Sequence, residues 1–386
     1  MQAVLRAIRD FIRKADMALL ALCIAASVFG IVAISSATNV YGSFRYVRTQ
    51  VLALLIGIVL YILLTLIDVD IIAERRELLL IFCVLFIGLL FTPLGVDEMG
   101  NKSWLHISFL PFNIQPAEIC KIFFILILAK TMSVKQNKIS SPLTVITIAG
   151  ITVFFFGFIM VASDDLGVSL QYLFIFIVMA FVGGVSLLWF VGGFGAVLVA
   201  APFLWTQLSD RQQQRIRVLY DPTIDPQAQD VRYQTNYSLR ALQNGGISGQ
   251  GLYNGTMVQT GILPQQRNDF IFSAIGEELG MLGCVAVLLV LFAIIIRIIH
   301  VGNKSGNVMN RLICVGIAGM LASQILINVG MCLGLLPVVG LTLPFFSYGG
   351  SSLVTMFLAM GIVSGINMRP APDSNARYIR PKLNQP

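Results

Sequence analysis

Residues 17–44, MALLALCIAASVFGIVAISSATNVYGSF, contain no Asp, Glu, Lys or Arg. A helix needs about 20 apolar residues to cross the hydrocarbon core of a bilayer, so this stretch reads as a membrane span. A basic segment precedes it. The run is too long for a signal-peptide core and shows no small-residue cleavage pattern, so the span is read as retained. Comparable runs recur, placing spans near 17–37, 49–67, 78–96, 114–132, 142–163, 165–183, 186–208, 270–296, 312–333 and 345–367. The uncharged run 166–209 holds two of them around Gly183–Gly184, and the run 312–368 holds two more around a Gly/Pro-rich loop near 334–350. Ten spans put both termini on one side.

Composition agrees. Of 386 residues, 57% are hydrophobic and 12% charged, against about 45–50% and about 25% in soluble domains. That excludes an ordinary soluble fold and also disorder, which needs low hydrophobicity and high charge. The net charge of +7 forms no dense basic stripe, so no nucleic-acid partner is expected. Six cysteines lie in apolar stretches without a C-x-x-C pair, which indicates neither a disulfide framework nor a zinc site. With only His106 and His300, a His triad or multi-His metal centre is disfavoured.

Loop charge orients the chain. With the N-terminus in the cytoplasm, sixteen Lys and Arg residues fall inside, while the short outer loops hold only Arg45, Arg48 and Lys102. The expected architecture is therefore an all-α, polytopic membrane protein of about ten helices with both termini cytoplasmic. It forms a single membrane domain over 1–386, with one large extracytoplasmic loop, 207–269, between helices 7 and 8, and a flexible cytoplasmic tail, 369–386. No strong internal repeat is present.

The outer rim carries the candidate chemistry. Glu118 and Lys121, spaced i,i+3 on one helix face, read either as a mutual ion pair or as a polar patch where a lipid-linked anion meets the lysine. A charge inside a span costs on the order of 2.5–3.5 kcal/mol. Asp164 and Asp165 sit in a tight turn, where one acid is explained as an N-cap. Arg211 and Arg215 share a face if the seventh helix continues past the membrane, in an interfacial, headgroup-anchoring role. The run Asn244–Gly251 (NGGISGQG) permits close backbone approach to a ligand through Gly249 and Gly251, or is a plain turn. Asp269 opens the eighth helix. As an N-cap it would be held ionised and be a poor base unless burial raises its pKa. Glu277 and Glu278 lie deeper, where a buried polar contact is expected.

Taken together these residues resemble the SEDS family of bacterial cell-wall polymerases, the RodA/FtsW/SpoVE group. The resemblance rests on an ordered set. Its parts are Gly100–Trp104, then Gln115–Lys121 (QPAEICK), then Asp165-Leu166-Gly167 and the glycines of 245–251. They continue with Leu263–Phe272 (LPQQRNDFIF), Ile275–Gly280 (IGEELG), Asn328–Met331 and Leu335–Ser352, which includes Ser347. The pattern departs at Ser103 (usually Arg), Asp164 (Pro), Gln250 (Lys), Gln265 (Glu) and Arg267 (His in RodA-like members), which leaves the pyrophosphate-binding cations open.

The resemblance implies glycan-strand polymerisation at the outer face of the cytoplasmic membrane. The donor would be lipid II or the growing undecaprenyl-pyrophosphate-linked chain, and the acceptor a GlcNAc 4-hydroxyl. Transfer from an α-linked donor to a β-1,4 product is a single inverting displacement that releases undecaprenyl pyrophosphate. Asp269 would take the acceptor proton. Trp104, Glu118, Lys121 and Asp165 would converge with it on a cavity open to lipid. Lys102, Arg211, Arg215, Gly249, Gly251, Glu277 and Ser347 complete the expected substrate-binding set. A divalent cation, Mg²⁺ or Mn²⁺, is the cofactor such a site would accept. A class B penicillin-binding protein is the implied transpeptidase partner, in cell elongation and shape or in division. A lipid II flippase and a non-catalytic scaffold are the competing readings.

Overall fold

The computed structural model describes residues 11, 13–98, 101–108, 110–221, 223, 225 and 232–369. The basic residues Arg6 and Arg9, Gly100, and the tail beyond Arg369 lie outside the described residues.

The chain is helical almost throughout, and each expected span has its helix. These are α1 (Met17–Ala37), α2 (Arg45–Leu66), a short α3 (Val69–Glu74), α4 (Arg76–Gly88), α5 (Pro116–Val134), α6 (Pro142–Ser163), α7 (Leu166–Val182) and α8 (Leu187–Gln207). After them come α9 (Asp210–Arg217), α10 (Tyr233–Gly245), α11 (Thr256–Thr260), α12 (Ile271–Lys304), α13 (Val308–Cys332) and α14 (Gly350–Met368). Six of these, α1, α2, α6, α12, α13 and α14, are long and apolar enough to cross a membrane on length and composition alone, and α7 and α8 are shorter apolar helices. α5 is kept out of that group by its charged residues Glu118, Lys121 and Lys130, and α4 by its length of 13 residues. α13 and α14 are the most enclosed, and α13 packs against α5, α7 and α12. No described residue of α8 is buried, so this helix lies at the periphery.

Two expectations need correction. The third span does not run to 96. After Gly88 one 3₁₀ turn ends at Thr92, whose extended backbone (φ −86°, ψ 172°) is what a following proline requires. The chain then forms an antiparallel hairpin, β1 (Gly95–Glu98) with β2 (Asn101–Leu105). The seventh helix does not continue into the arginines. It stops at Gln207, and α9 starts afresh on a capping box in which Ser209 and Gln212 satisfy each other's backbone N–H groups. The connection 207–269 between the seventh and eighth spans carries α9, α10 and α11.

α12 carries 34 residues, more than one crossing needs, and it is broken at Gly280 (φ 69°, ψ −166°). The break leaves helical N–H and C=O groups without their own partners, and the glycine run supplies replacements. Gln250 N donates to Glu277 O (3.0 Å) and Gly251 N to Glu278 O (2.9 Å), while Met281 N and Leu282 N donate to Gly246 O and Ile247 O (2.9 and 3.2 Å). Only glycine fits there: a Cβ on Gly249 would meet Glu278 O at 2.2 Å, and one on Gly280 would meet Gly249 N at 2.4 Å. At the opposite end of the bundle Asp16 caps α1 through Leu19 N and pairs with Arg297 Nε at 2.8 Å.

Candidate active site at the outer rim

α6 ends at Asp164, which adopts the left-handed conformation (φ 50°) and reverses the chain. Asp165 then caps α7, accepting from Val168 N at 3.0 Å. Its other carboxylate oxygen accepts from Gln115 Nε2 at 3.1 Å. Gln115 itself caps α5, which opens on Pro116, and its backbone N–H is held by Ser351 Oγ at 3.1 Å. The N-cap reading of one acid therefore holds, and a buried glutamine holds that acid from a second helix.

Asp269 does not cap α12. Phe270 occupies that position and makes no side-chain cap bond. Instead, Gln265 takes a left-handed φ of 47° and its carbonyl receives both Asn268 N (2.9 Å) and Phe270 N (3.3 Å), folding 265–270 into a tight turn. Three consecutive carbonyls of that turn are bound from elsewhere in the fold. Arg267 O accepts from Tyr348 N (2.8 Å), Asn268 O from Ser347 Oγ (2.6 Å), and Asp269 O from Asn328 Nδ2 (2.8 Å). The side chain of Arg267 turns to the α2 end of the rim, over the rings of Tyr46 (4.4 Å) and Tyr41 (5.4 Å).

The carboxylate of Asp269 accepts no hydrogen bond among the described residues. Burial, and after it the charge on Asp165, raise its pKa from 3.8 to about 6 against the opposing charge of Arg215. Asp165 is likewise raised to about 6, first by burial, with the Val168 N–H acting against it. The segment 338–341 fills the space between these groups. Val338 O accepts from Arg215 Nη1 at 2.9 Å, Val339 O lies where a Cβ on Gly167 would be 2.5 Å away, and Gly340 lies beside Asp269 Oδ2. The condition under which Asp269 becomes a usable base, burial outweighing a helix terminus, is met here.

The remaining candidates separate. Glu118 and Lys121 form a buried ion pair at 2.6 Å, and Lys121 Nζ also reaches Gln171 Oε1. Lys121 is 0% exposed, so it lies in the bundle interior, and the ion pair expected from the i,i+3 spacing is formed. Both charges still act on Asp165. Glu277 accepts from Met257 N and Val258 N (3.0 and 2.9 Å), so it serves the N-terminus of α11. Gly249 and Gly251 approach the α12 backbone, as described above, and Ser347 binds the Asn268 carbonyl and Leu343 N. In the structure these four support the rim through contacts within the chain. Lys102 is exposed and Trp104 half-buried on β2, which packs on α5 and α6; Ser103 Oγ reaches Ser163 O at 3.5 Å, beside the Asp165 turn. The backbone of Arg211 lies in α9, and its side chain is outside the described residues. The sequence does not single out Gln115 and Asn328 as site residues. The available signal is a lone amide flanked by apolar residues near a span end, a costly placement unless the amide is used.

The assembly offers two carboxyls within electrostatic reach of each other, both with raised proton affinity, and an arginine. This suits removal of a hydroxyl proton near a negatively charged group. Among the described residues no cluster of three or more His, Cys, Asp or Glu side chains encloses a cation. Two carboxylates fit Mg²⁺ or Mn²⁺ only if other oxygens complete the shell.

The family profile described as "Cell cycle protein", covering FtsW, RodA and SpoVE, matches residues 14–371. A probable peptidoglycan glycosyltransferase FtsW of Geobacter metallireducens is 31% identical over 367 residues, 93% of this chain and 96% of that one. Stage V sporulation protein E of Bacillus subtilis is 31% identical over 366 residues, 91% and 96% of the two chains. Among solved structures, a chain of a peptidoglycan synthase complex, described for its coordination of polymerization and crosslinking, aligns with a TM-score of 0.78 at 28% identity, covering 95% of this chain and 99% of that one. The rod shape determining protein RodA of Thermus thermophilus gives 0.69 at 25%, covering 93% and 98%.

Proposed function

The chain belongs to the FtsW, RodA and SpoVE family, and from that premise we propose that it is a peptidoglycan glycosyltransferase of the bacterial cytoplasmic membrane with Asp269 as its general base. The observation that carries the assignment of the base is the Asp269 carboxyl, unbonded within the described residues and raised to about 6 by burial and the Asp165 charge. A base is most useful when its pKa lies near the working pH.

The reaction follows from these groups. The acceptor 4-hydroxyl of a lipid-linked unit loses its proton to Asp269 as its oxygen attacks the anomeric carbon of lipid II or of the growing chain. The bond to the pyrophosphate breaks in the same displacement, inverting the α donor to a β-1,4 product and releasing undecaprenyl pyrophosphate. Pyrophosphate needs charge neutralisation more than a proton, and Arg215 is the cation within electrostatic reach of Asp269. Asp165 and Asp269 are the residues that would hold Mg²⁺ or Mn²⁺. When bound, the ion would supply neutralisation of the leaving group. A class B penicillin-binding protein is the proposed cross-linking partner, in elongation and shape or in division. Against a flippase, the acids and Arg215 gather at one rim, whereas transport sites lie near the midplane.

Purified protein supplied with lipid II is expected to make glycan polymer, and Asp269→Asn to lose at least about 100-fold in rate. A folded variant polymerising at the parental rate removes Asp269 from the chemistry. Lipid movement across vesicles without polymer restores the flippase reading.

A further inference from the structure

Asn328 lies in the last turn and a half of α13, and its side chain is fully buried. Its Nδ2 donates to two carbonyls at once, Asp269 O at 2.8 Å and Leu341 O at 2.6 Å. An amide nitrogen carries two hydrogens, so both are used. Its Oδ1 faces Cys332 Sγ at 4.0 Å, and that thiol also lies 3.7 Å from Asp269 O. Two carbonyl oxygens turned toward one point repel each other. Only a donor with two hydrogens holds them together, and that is what Asn328 supplies.

The two peptides joined in this way belong to the two halves of the site. One carries Asp269. The other belongs to the 338–341 segment, whose Val338 carbonyl holds Arg215 and whose Gly340 sits beside Asp269 Oδ2. We infer that Asn328 is a positioning residue for glycosyl transfer, fixing the base on the Asp269 turn relative to Arg215 through one two-pronged amide. The inference rests on the assignment of Asp269 as base. Ser347, by contrast, binds the preceding carbonyl and Leu343 N, beyond that segment, so the turn keeps a second tie when Asn328 is changed.

Other residues cannot do this. A carboxylate at 328 has the same shape and no hydrogen to donate. Serine keeps one donor on a shorter stem, and alanine keeps none. A misplacement of about 1 Å costs on the order of 100-fold in a positioned reaction.

Asn328→Ala, Asn328→Asp and Asn328→Ser are compared with the parental protein in lipid II polymerisation. The expected outcome for Asn328→Ala and Asn328→Asp is a kcat at least about tenfold lower with KM for lipid II within about threefold, and Asn328→Ser between them and the parent. The acid limb of the rate profile should also move, because Asp269 shifts relative to Asp165 and Arg215. Labelling of Asp269 by a hydrophobic carbodiimide, followed peptide by peptide across pH, reads the same displacement without turnover and serves if a variant is too inactive to assay. Parental kcat in folded Asn328→Ala, a loss confined to KM, or an unmoved labelling midpoint each overturn the assignment. A parental protein that makes no polymer overturns the functional reading instead, and the labelling midpoint still decides the role of Asn328.

Discussion

Asp165 lies within electrostatic reach of Asp269, so that burial and then the charge of this neighbour raise the Asp269 carboxyl to about 6. The neighbour is fixed from two sides, by its own helix at Val168 N and by Gln115 on α5.

A base must be ionised to act, so the polymerisation rate is expected to fall about tenfold per pH unit below about 6. Asp165→Asn removes the charge and keeps a side chain able to cap α7. The acid limb should then move to lower pH, because one of the causes raising Asp269 is gone. Steady-state rates between about pH 4.5 and 8 check this; a limb that stays in place shows that Asp165 does not bear on the reacting base.

Arg215 acts with the opposite sign, since it lowers the Asp269 pKa. Arg215→Gln should move the acid limb to higher pH and weaken any dependence of KM on the pyrophosphate. Rates measured with this variant on the same pH series decide the matter: a shift in the Asp165→Asn direction contradicts the arrangement.

Stability should respond to Asp165 as well. Its folded pKa, about 6, lies above the unfolded value of 3.8. Such a group contributes stability that is fully present below about pH 3.8 and is lost as pH rises through about 6. At about pH 7.5 Asp165→Asn is therefore expected to be more stable than the parent by about 1–2 kcal/mol after allowance for partial exposure. The difference should vanish near about pH 4. Thermal unfolding in detergent at the two pH values is the measurement, and a destabilised variant at the higher pH would sink the linkage.

The spans were legible because lipid demands long uncharged runs, and ten such runs became ten helices. The Glu118–Lys121 pair was legible because i,i+3 spacing fixes a shared face. The site was less so. Nothing local marks Asn328 and Leu341 as meeting Asp269, since those contacts are made by packing between α12, α13 and the segment before α14. The glycine run illustrates the same limit: its spacing announces a close backbone approach, but not that the approaching backbone is a broken helix of the same chain. Asp269 looked like a helix cap because the turn formed by Gln265, which shifts the cap to Phe270, depends on a left-handed residue that sequence does not single out.

The buried pair on α5 offers a prediction whose sign depends on which partner is lost. Lys121→Met leaves the enclosed Glu118 carboxyl without its cation, with one of its oxygens already lacking a protein partner among the described residues. Removing one member of a buried pair costs about 3–5 kcal/mol, while replacing both with neutral groups is often close to neutral. Lys121→Met should therefore express poorly or melt early, and Glu118→Gln combined with Lys121→Met should recover most of the loss. Yield of monodisperse protein and unfolding temperature report it; a double variant as damaged as the single would mean that the charges serve something beyond each other.

Two glycines separate the cost of crowding from the cost of backbone conformation. Gly261 (φ +70°) ends α11, and a methyl group added there would find its nearest neighbour, Val40, at 3.5 Å, whereas a methyl on Gly249 (φ +77°) would lie 2.2 Å from Glu278 O. Both positions are left-handed, so alanine costs each about 1–2 kcal/mol. Gly249→Ala must in addition push the glycine run off the break in α12, losing the bonds from Gln250 and Gly251 to Glu277 O and Glu278 O. It should cost at least about 3 kcal/mol in all, counting about 1 kcal/mol for each hydrogen bond given up. Unfolding temperatures of Gly249→Ala and Gly261→Ala, measured side by side, test this. Equal losses would mean that the glycine run does not clamp the kink, and that the close approach at Gly249 is left for a ligand after all.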